Sequence, residues 1–383
     1  MISLTTVEKV LGWDTGQSIR IVPELCLLND DLAHSMPRLG QSGVAQALRP
    51  RTLVVLDHDI PAGSFDTAFR QKALIDLSKQ YNLPFVQAEG IGYTLLCQRY
   101  IQPGQVILGW GDHICAVGAV GSLGLQLSDD ALSAVLEQGA YTLQVPLLAG
   151  LRLVGTLPDG VAPSDGAFSL LPSLVELYRD RILLLVDDAG LPLEARMALC
   201  QLLHRLGALS ALFVDADVAA HFLGKGELVT CDLSAAKAVV VQPSCMTHIQ
   251  PLAGMEPVRV DACFIGGCLG GHIEQLRRAA AVLRGRRIKR ELRLLIGFAS
   301  NQDYLAAMQE GLIGVFFDCG AQVTNPGCAS CRTTSIGVVG DGEVMASTGC
   351  YNYPGCCGTQ ASRVYLASAE AVARAALSGW LQA

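Results

Sequence analysis

Short apolar stretches rich in β-branched residues alternate with amphipathic segments along this chain of 383 residues. The apolar stretches are typical of strands buried on both faces, and they include residues 52–56, 182–186, 238–241 and 292–296. In the amphipathic segments apolar residues recur every three or four positions, as they do in helices. These segments include residues 65–81, 128–138, 193–206 and 273–283. The alternation predicts an α/β fold with several parallel sheets.

The length of the chain calls for more than one domain, because a single core rarely grows past roughly 250 residues. Two seams rich in glycine and proline divide the sequence, one at residues 155–169 and one near residue 250. Such clusters are typical of loops between domains. We therefore predict three α/β domains, over residues 1–160, 161–255 and 256–383.

Composition excludes several classes of protein. Hydrophobic residues make up 51% of the chain and charged residues 16%, which argues against disorder. No apolar run approaches the roughly 20 residues of a membrane span, and no secretory signal begins the chain, so we expect a cytoplasmic protein without a membrane partner. The net charge of -7 argues against nucleic acid as a partner.

Three of the fourteen cysteines stand in turns that suit metal binding. Cys328 and Cys331 form a Cys-x-x-Cys pair in a turn rich in proline and glycine, and Cys268 lies in a glycine-rich turn after a predicted strand. Without an export signal we expect the thiols to be reduced. The pair alone is compatible with an iron–sulfur cluster, a zinc site or a redox loop.

The order and flanks of these cysteines resemble the cluster-binding pattern of the aconitase superfamily, and most closely its isopropylmalate isomerase large subunits. The resemblance covers nearly the whole chain. Its motifs here are residues 57–58, 90–92, 103–105, 113–121, 194–197, 264–268, 273–280, 310–312, 325–331 and 365–370. It implies an aconitase-like fold of three α/β domains around a central cluster site.

The resemblance also implies a cofactor and a reaction. Cys268, Cys328 and Cys331 would hold a [4Fe-4S] cluster and leave one iron without a protein ligand. That iron would act as a Lewis acid in the dehydration or isomerisation of a small hydroxy acid. A fourth thiolate, from Cys263 or Cys350, would close the coordination shell.

Acid–base residues are predicted from two matched motifs, Asp57-His58 and Asp112-His113. An aspartate can orient an imidazole and raise its proton affinity. We predict catalytic roles for all four residues.

The sequence departs from the family where that family binds carboxylates. Its Asn-Arg-Asn-Phe-x-Gly-Arg segment is residues 350–356 here, and Tyr351 and Cys356 replace the two arginines. A charge-assisted hydrogen bond is worth about 1.5–3 kcal/mol, so we expect a hydroxy acid other than those the family ordinarily binds. The predicted substrate-binding residues are Tyr93, Ser300, Tyr351, Asn352 and Tyr353.

Two further departures are Gly270, where the family has asparagine, and Arg205, where it tends to have glutamate. The family's mobile fourth domain, with its serine base, has no counterpart here, which implies a heterodimer with a small swivelling-domain subunit. The alternatives are a non-catalytic iron–sulfur regulatory or binding protein of the same fold and a zinc-stabilised binding protein.

Overall fold

The computed structural model describes residues 5–30, 51–224, 226, 228–333 and 335–383, except for the side chain of Asp112. The strands in chain order are β1 (Ser18–Ile21), β2 (Leu25–Asn29), β3 (Thr52–Leu56), β4 (Phe85–Gln87), β5 (Val106–Gly109), β6 (Leu123–Gln126), β7 (Tyr141–Gln144), β8 (Leu148–Val154), β9 (Ile182–Asp187), β10 (Ser210–Phe213), β11 (Leu228–Asp232), β12 (Val239–Val241), β13 (Ile249–Pro251), β14 (Val258–Arg259), β15 (Ala262–Ile265), β16 (Arg293–Phe298), β17 (Gln322–Pro326), β18 (Val344–Ser347), β19 (Arg363–Leu366) and β20 (Trp380–Leu381).

The first α-helix precedes β1, and the others lie between strands. In chain order they are α1 (Thr6–Leu11), α2 (Phe65–Gln80), α3 (Gly92–Leu95), α4 (Asp129–Gln138), α5 (Pro163–Leu170), α6 (Val175–Tyr178), α7 (Leu193–Arg205), α8 (Ala216–Leu223), α9 (Gly267–Gly270), α10 (Ile273–Leu283), α11 (Asn301–Gln309), α12 (Leu312–Cys319) and α13 (Ala369–Ser378). Helices α2, α4, α7 and α10 confirm the four amphipathic predictions to within a residue at each end.

Three sheets organise these elements. A five-stranded sheet has the order β4-β3-β2-β5-β6, and a four-stranded sheet has the order β10-β9-β8-β11. Every pairing in both is parallel. Strands β2 and β3 are buried along their whole length, as a parallel sheet covered on both faces requires.

The third sheet has seven strands in the order β13-β12-β19-β18-β15-β16-β17. Its strands pair in parallel except β12, which runs antiparallel to both of its neighbours. Two antiparallel ribbons, β1-β7 and β14-β20, complete the described strands. The predicted α/β class with parallel sheets is confirmed.

Sheet membership does not follow the predicted domain limits in every case. Strand β8 falls within residues 1–160 but pairs with β9 and β11, and β12 and β13 fall within 161–255 but join the seven-stranded sheet. The division into three domains with those limits stays a prediction.

One core cluster joins the three sheets, since it contains buried residues such as Leu27, Leu183 and Phe264 together with the thiols of the candidate site. Helix α7 packs against a 3-10 helix over Asp112–Val120 beside this core. No helix in the described parts of the chain is long and apolar enough to cross a membrane.

Candidate active site

Five side chains of the candidate site follow the ends of parallel strands. His58 follows β3 and His113 follows β5, whereas Cys268, Cys328 and Cys350 follow β15, β17 and β18. Loops at the carboxyl ends of parallel strands are the usual location of ligand sites in α/β proteins. The topology therefore brings together residues that are far apart in sequence.

The turn that carries Cys268 is fixed by Thr348. The Gly266 amide donates to Thr348 Oγ1 (2.9 Å), and that hydroxyl donates to the Gly266 carbonyl (3.0 Å). Gly267 follows with a φ of +67°, a conformation that side chains rarely adopt. Helix α9 then buries the Cys268 thiol, which is 2% exposed.

The loop that carries Cys328 is tied to the five-stranded sheet. The Cys328 amide donates to the Asp57 carbonyl (2.8 Å), and the Gly327 amide donates to the Phe298 carbonyl (2.9 Å). Gly327 has a φ of +150°, and a Cβ there would lie 2.8 Å from the Asp57 oxygen. Only glycine allows this close approach between the Asp57-His58 motif and the cysteine loop.

Four buried thiols converge at this point. Cys350 is in hydrogen-bonding contact with both Cys268 and Cys331. The sulfurs of Cys268 and Cys350 and a ring nitrogen of His113 all lie within 4.8 Å of one another. Ligand atoms of Asp57, His58 and Cys328 form a second group of the same size.

Two of these thiols are weaker acids than a free cysteine. Burial raises the pKa of Cys328 to about 12, against a smaller lowering by His58. The hydrogen bond with Cys350, and then burial, raises the pKa of Cys331 well above its usual range. A bound cation would reverse this, because it stabilises thiolates. The donor set fits an iron–sulfur cluster, and the structure brings the three predicted ligands together.

Cys263, the other candidate for a fourth ligand, points elsewhere. It lies on β15 and packs in the core cluster that β15 and β16 form with α10, α12 and α13. Burial in that apolar setting raises the pKa of its thiol. Of the two candidates, Cys350 is the one at the site.

His58 is held by two aspartates. Its Nδ1 lies 2.5 Å from Asp57 Oδ1, while Asp57 Oδ2 accepts from the Gly92 amide (2.7 Å). Asp30 accepts hydrogen bonds from the amides of Asp57, His58 and Asp59 and so fixes the turn.

The two aspartates differ in acidity. Burial raises the pKa of Asp57 to about 6, against the opposing charge of His58. Burial also acts to raise the pKa of Asp30, but bonding to His58 and to the backbone amides brings that pKa well below its usual range. Asp30 is thus an anion whose carboxylate lies 3.4 Å from His58 Nδ1. The sequence analysis did not identify Asp30 as a site residue.

His113 connects the Cys350 thiol to two aromatic residues. Its Nε2 lies 2.9 Å from Cys350 Sγ, and its Nδ1 lies 3.4 Å from the Tyr351 hydroxyl. Its ring stacks on Tyr93, with centroids 5.3 Å apart, and meets Tyr351 edge-on. The side chain of Asp112 lies outside the described part of the chain.

The predicted substrate residues Tyr93 and Tyr353 neighbour cysteines of the site, and Tyr351 contacts His113. Tyr93 is buried, and its burial, with four neighbouring cysteines, raises the pKa of its hydroxyl well above the usual range. Tyr351 contacts Tyr353 edge-on, with centroids 5.6 Å apart. The Arg205 guanidinium, at the end of α7, lies 4.3 Å from the centroid of the Tyr351 ring.

The other two predicted substrate residues have structural bonds. Asn352 Nδ2 donates to the carbonyls of Gln242 (2.5 Å) and Cys245 (3.2 Å). Ser300 is the N-cap of α11, and its hydroxyl donates to Asp303 Oδ2 (2.6 Å). These bonds favour structural roles, and contact of either side chain with substrate stays a prediction.

Two arginines lie near the segment in which Tyr351 and Cys356 replace the arginines of the family. Arg205 is close enough to Cys356 to lower the pKa of its thiol, although the hydrogen bond from Cys357 contributes more. Arg332 directly follows Cys331, and its guanidinium lies 5.7 Å from the Trp110 ring. The position of Arg332 directly after Cys331 could have indicated a site residue from the sequence. The proximity of Arg205 to Tyr351 could not, because it depends on the packing of α7.

The sequence is similar to one family model and to several known proteins. Residues 233–379 match the model of the aconitase family (aconitate hydratase). The chain is 30% identical over 405 residues to the homoaconitase large subunit of Thermus thermophilus, covering 98% of this chain and 96% of that one. It is 26% identical over 414 residues to the 3-isopropylmalate dehydratase large subunit 1 of Methanopyrus kandleri, covering 98% and 97%.

A solved structure is similar as well. The holo-form of aconitase X from Thermococcus kodakaraensis matches with a TM-score of 0.54, covering 86% of this chain and 83% of that chain, at 12% identity. At this identity the similarity concerns the fold alone, and the predicted aconitase-like α/β fold is confirmed.

Proposed function

The chain belongs to the aconitase family, and from this premise we propose that it is the large subunit of a hydro-lyase or isomerase that acts on a small hydroxy acid. The observation that carries the proposal is that Cys268 lies with His113 and Cys328 lies with His58, while Cys268, Cys328 and Cys331 all neighbour Tyr93. The relatives named above are enzymes, so the comparisons give no support to a non-catalytic regulatory role.

The three cysteines would hold a [4Fe-4S] cluster. When bound, such a cluster supplies a Lewis-acidic iron that polarises a substrate hydroxyl. The loops are suited to this task because they are anchored before any metal arrives, through Thr348 on the Cys268 turn and the Asp57 carbonyl on the Cys328 turn.

His58 is the acid–base group with the firmer support. Because Asp57 Oδ1 lies against Nδ1, the proton would be held or released at Nε2, and the hydrogen bond between His58 and the Cys328 thiol keeps the imidazole beside this predicted cluster ligand. Asp57 in turn cannot rotate away, since its second oxygen is bound by the Gly92 amide. The turn thus fixes both the tautomer and the direction of the imidazole.

His113 would move a proton between two neighbours. Its Nε2 contacts the Cys350 thiol and its Nδ1 contacts the Tyr351 hydroxyl, so a proton accepted at one nitrogen can leave from the other. Tyr93 limits its motion by stacking on the ring.

The substrate would carry fewer carboxylates than the family's ordinary substrates. Tyr351 and Cys356 replace the two arginines of the motif, and the Arg205 guanidinium lies beside both replacements, whereas the Arg332 guanidinium lies over the Trp110 ring. One guanidinium can hold one carboxylate bidentately. We assign Arg205 to a substrate carboxylate, with Tyr351 as the surface on which the guanidinium rests.

A small swivelling-domain subunit would complete the enzyme. The relatives named above are called large subunits, which supports a two-subunit assembly. We place this assembly in the cytoplasm.

The test is turnover by the anaerobically reconstituted chain together with its small subunit. The assay compares 3-isopropylmalate, citrate and hydroxy acids with a single carboxylate. We expect turnover only in the last group. Efficient turnover of 3-isopropylmalate would refute the changed specificity, and no turnover of any acid, with no substrate effect on the cluster's electron paramagnetic resonance, would refute the hydro-lyase.

Two matched variants sharpen this test. Cys328→Ala should abolish both the cluster and turnover, whereas Cys97→Ala, which removes a buried thiol elsewhere in the core, should retain both. Arg205→Gln should retain the cluster but lower kcat/KM by about ten- to a hundred-fold, the value of one charge-assisted hydrogen bond.

A further inference from the structure

A short, strongly basic loop joins helix α10 to strand β16. Five of the seven residues from 284 to 290 are arginine or lysine, in a chain whose net charge is -7. All five are exposed, and they are Arg284, Arg286, Arg287, Lys289 and Arg290. Such a concentration of one charge creates a local positive field that the composition of the whole chain conceals.

The cations of this loop differ from the arginines around them. Arg277 is paired with Glu310 (2.6 Å), and Arg293 is paired with Glu343 (2.6 Å). Among the residues that the structure describes, none forms an ion pair with any of the five loop cations. Their charge therefore remains available to a partner.

The loop is held in place by its backbone. The Ile288 amide donates to the Cys319 carbonyl (2.9 Å), and the Lys289 amide donates to the Ala376 carbonyl (2.8 Å). These bonds tie the loop to the last turns of α12 and α13. A surface whose backbone is fixed before binding loses less conformational freedom when a partner arrives.

An exposed tryptophan adjoins the loop. Trp380 is 44% exposed, and it pairs with the exposed residue Arg259 in the β14-β20 ribbon. The Lys289 side chain lies against the preceding residue, since a Cβ at Gly379 would be 3.3 Å from Lys289 Cγ. We call the five loop cations, with Arg259 and Trp380, the basic patch.

The composition of the basic patch fits a protein partner better than a nucleic acid or a membrane. Arginine and tryptophan carry much of the binding energy in protein interfaces, and a guanidinium binds a carboxylate through two parallel hydrogen bonds. Single-stranded nucleic acids stack successive bases on several aromatic rings, and membrane surfaces take up several apolar side chains. The basic patch contains one exposed aromatic ring, that of Trp380.

Charge favours a short partner segment as well. The net charge of -7 repels a long polyphosphate. A short acidic segment instead stays within the roughly 8 Å over which the field of the patch acts at physiological salt.

We propose that the basic patch is the docking surface for an acidic segment of a partner protein. The loop lies at the amino end of β16, whereas Cys268 and Cys328 follow the carboxyl ends of β15 and β17, which are parallel to β16. A docked segment therefore leaves the candidate active site open. The proposal does not depend on the cluster or on the reaction.

The test measures peptide binding to the full chain by fluorescence anisotropy. The probe is fluorescein-labelled octaglutamate, and octaglutamine is the neutral peptide of the same length. The variant R284Q/R286Q/R287Q neutralises three loop arginines, whereas K9Q/K72Q/K79Q removes the same charge from exposed lysines elsewhere. Unlabelled competitors are a thymidine oligonucleotide and phosphatidylglycerol vesicles.

We expect octaglutamate, but not octaglutamine, to bind the wild type. The lysine variant should bind within about twofold of the wild type, and the arginine variant about tenfold or more weakly, because three charge-assisted contacts are lost. Hydrogen exchange of the wild type should slow at residues 285–292 and 379–381 when octaglutamate is added. This measurement needs no variant.

Equal binding of octaglutamate by the wild type and the arginine variant would overturn the proposal. Displacement of octaglutamate by the oligonucleotide or by the vesicles at a lower concentration of charge would overturn it too, and would assign the patch to a phosphate-bearing partner. All measurements are made with and without a reconstituted cluster, so their failure is distinct from a failure of the proposed function.

Discussion

Asp165 shows how burial sets the chemistry of a single side chain outside the active site. It is 2% exposed, and its carboxylate accepts hydrogen bonds from the amides of Ala162 (3.0 Å) and Val239 (3.4 Å). Burial raises its pKa to about 6 and outweighs the lowering effect of the two amides. The charge of Glu370 adds to the rise, and the charge of Arg278 opposes it. The folded protein therefore binds a proton here more tightly than the unfolded chain.

The consequence is a loss of stability as pH rises. Between the unfolded pKa near 3.8 and the folded pKa near 6, the native state holds the additional proton, so unfolding becomes easier with increasing pH. In Asp165→Asn this dependence is absent. Relative to wild type, the free energy of unfolding of the variant should rise by on the order of 2 kcal/mol from pH 4 to pH 7. Urea unfolding at pH 4 and at pH 7 measures the difference.

Asp159→Asn, at an exposed loop position, is the control and should show no such gain. If the Asp165→Asn difference is the same at both pH values, the carboxyl does not titrate in this range.

At the scale of an element, helix α9 explains why the family's asparagine is a glycine here. A Cβ at Gly270 would lie 1.9 Å from Thr348 Oγ1, and this hydroxyl holds the Gly266 turn through two hydrogen bonds. A side chain at position 270 therefore cannot coexist with these two hydrogen bonds, which we call the Thr348 clamp. The clamp fixes the turn that presents Cys268.

Gly270→Ala should therefore destabilise the protein by about 1–3 kcal/mol, the usual cost of overpacking, and lower the cluster content because Thr348 releases the turn. Chemical unfolding and iron per chain measure the two effects. Gly314→Ala in α12 is the control, since a Cβ there meets nothing within 4 Å, and its stability should stay equal or rise by up to about 1 kcal/mol. Equal stability and iron content of the two variants would contradict the clamp.

At the scale of the whole molecule, the candidate site is a junction between sheets. The cysteines come from loops of the seven-stranded sheet, whereas His58 and His113 come from loops of the five-stranded sheet. The Cys328 amide bonds directly to the Asp57 carbonyl across this junction. Whatever binds the thiols therefore also holds the sheets together.

Removal of the metal should lower the thermal midpoint of the whole chain. A ligand that binds only the folded state at a hundred times its dissociation constant contributes about 2.7 kcal/mol. Calorimetry of the chain before and after anaerobic chelation measures the effect, and hydrogen exchange should rise at residues 326–331 and 348–357 but not in β16. Cys328→Ala should have the same thermal midpoint before and after chelation. An unchanged midpoint for the wild type would show that the site does not couple the sheets.

The sequence by itself determined the features that depend on neighbouring residues. Periodicity predicted α10 with the bounds it has and β3 likewise, because the pattern of apolar residues reflects which face each element buries. The glycines and proline around Cys268 and Cys328 indicated turns, and the order of the cysteines with their flanking motifs resembled the family to which the chain belongs.

Tertiary structure alone decided which side chains meet. His113 and Cys350 are 237 residues apart, and Asp30 reaches His58 across two parallel strands. Arg205 reaches Tyr351 only because α7 packs beside the 3-10 helix that carries His113. Periodicity and turn chemistry are local, whereas these contacts arise where the carboxyl ends of strands from different sheets face a common core, and no local pattern encodes that meeting.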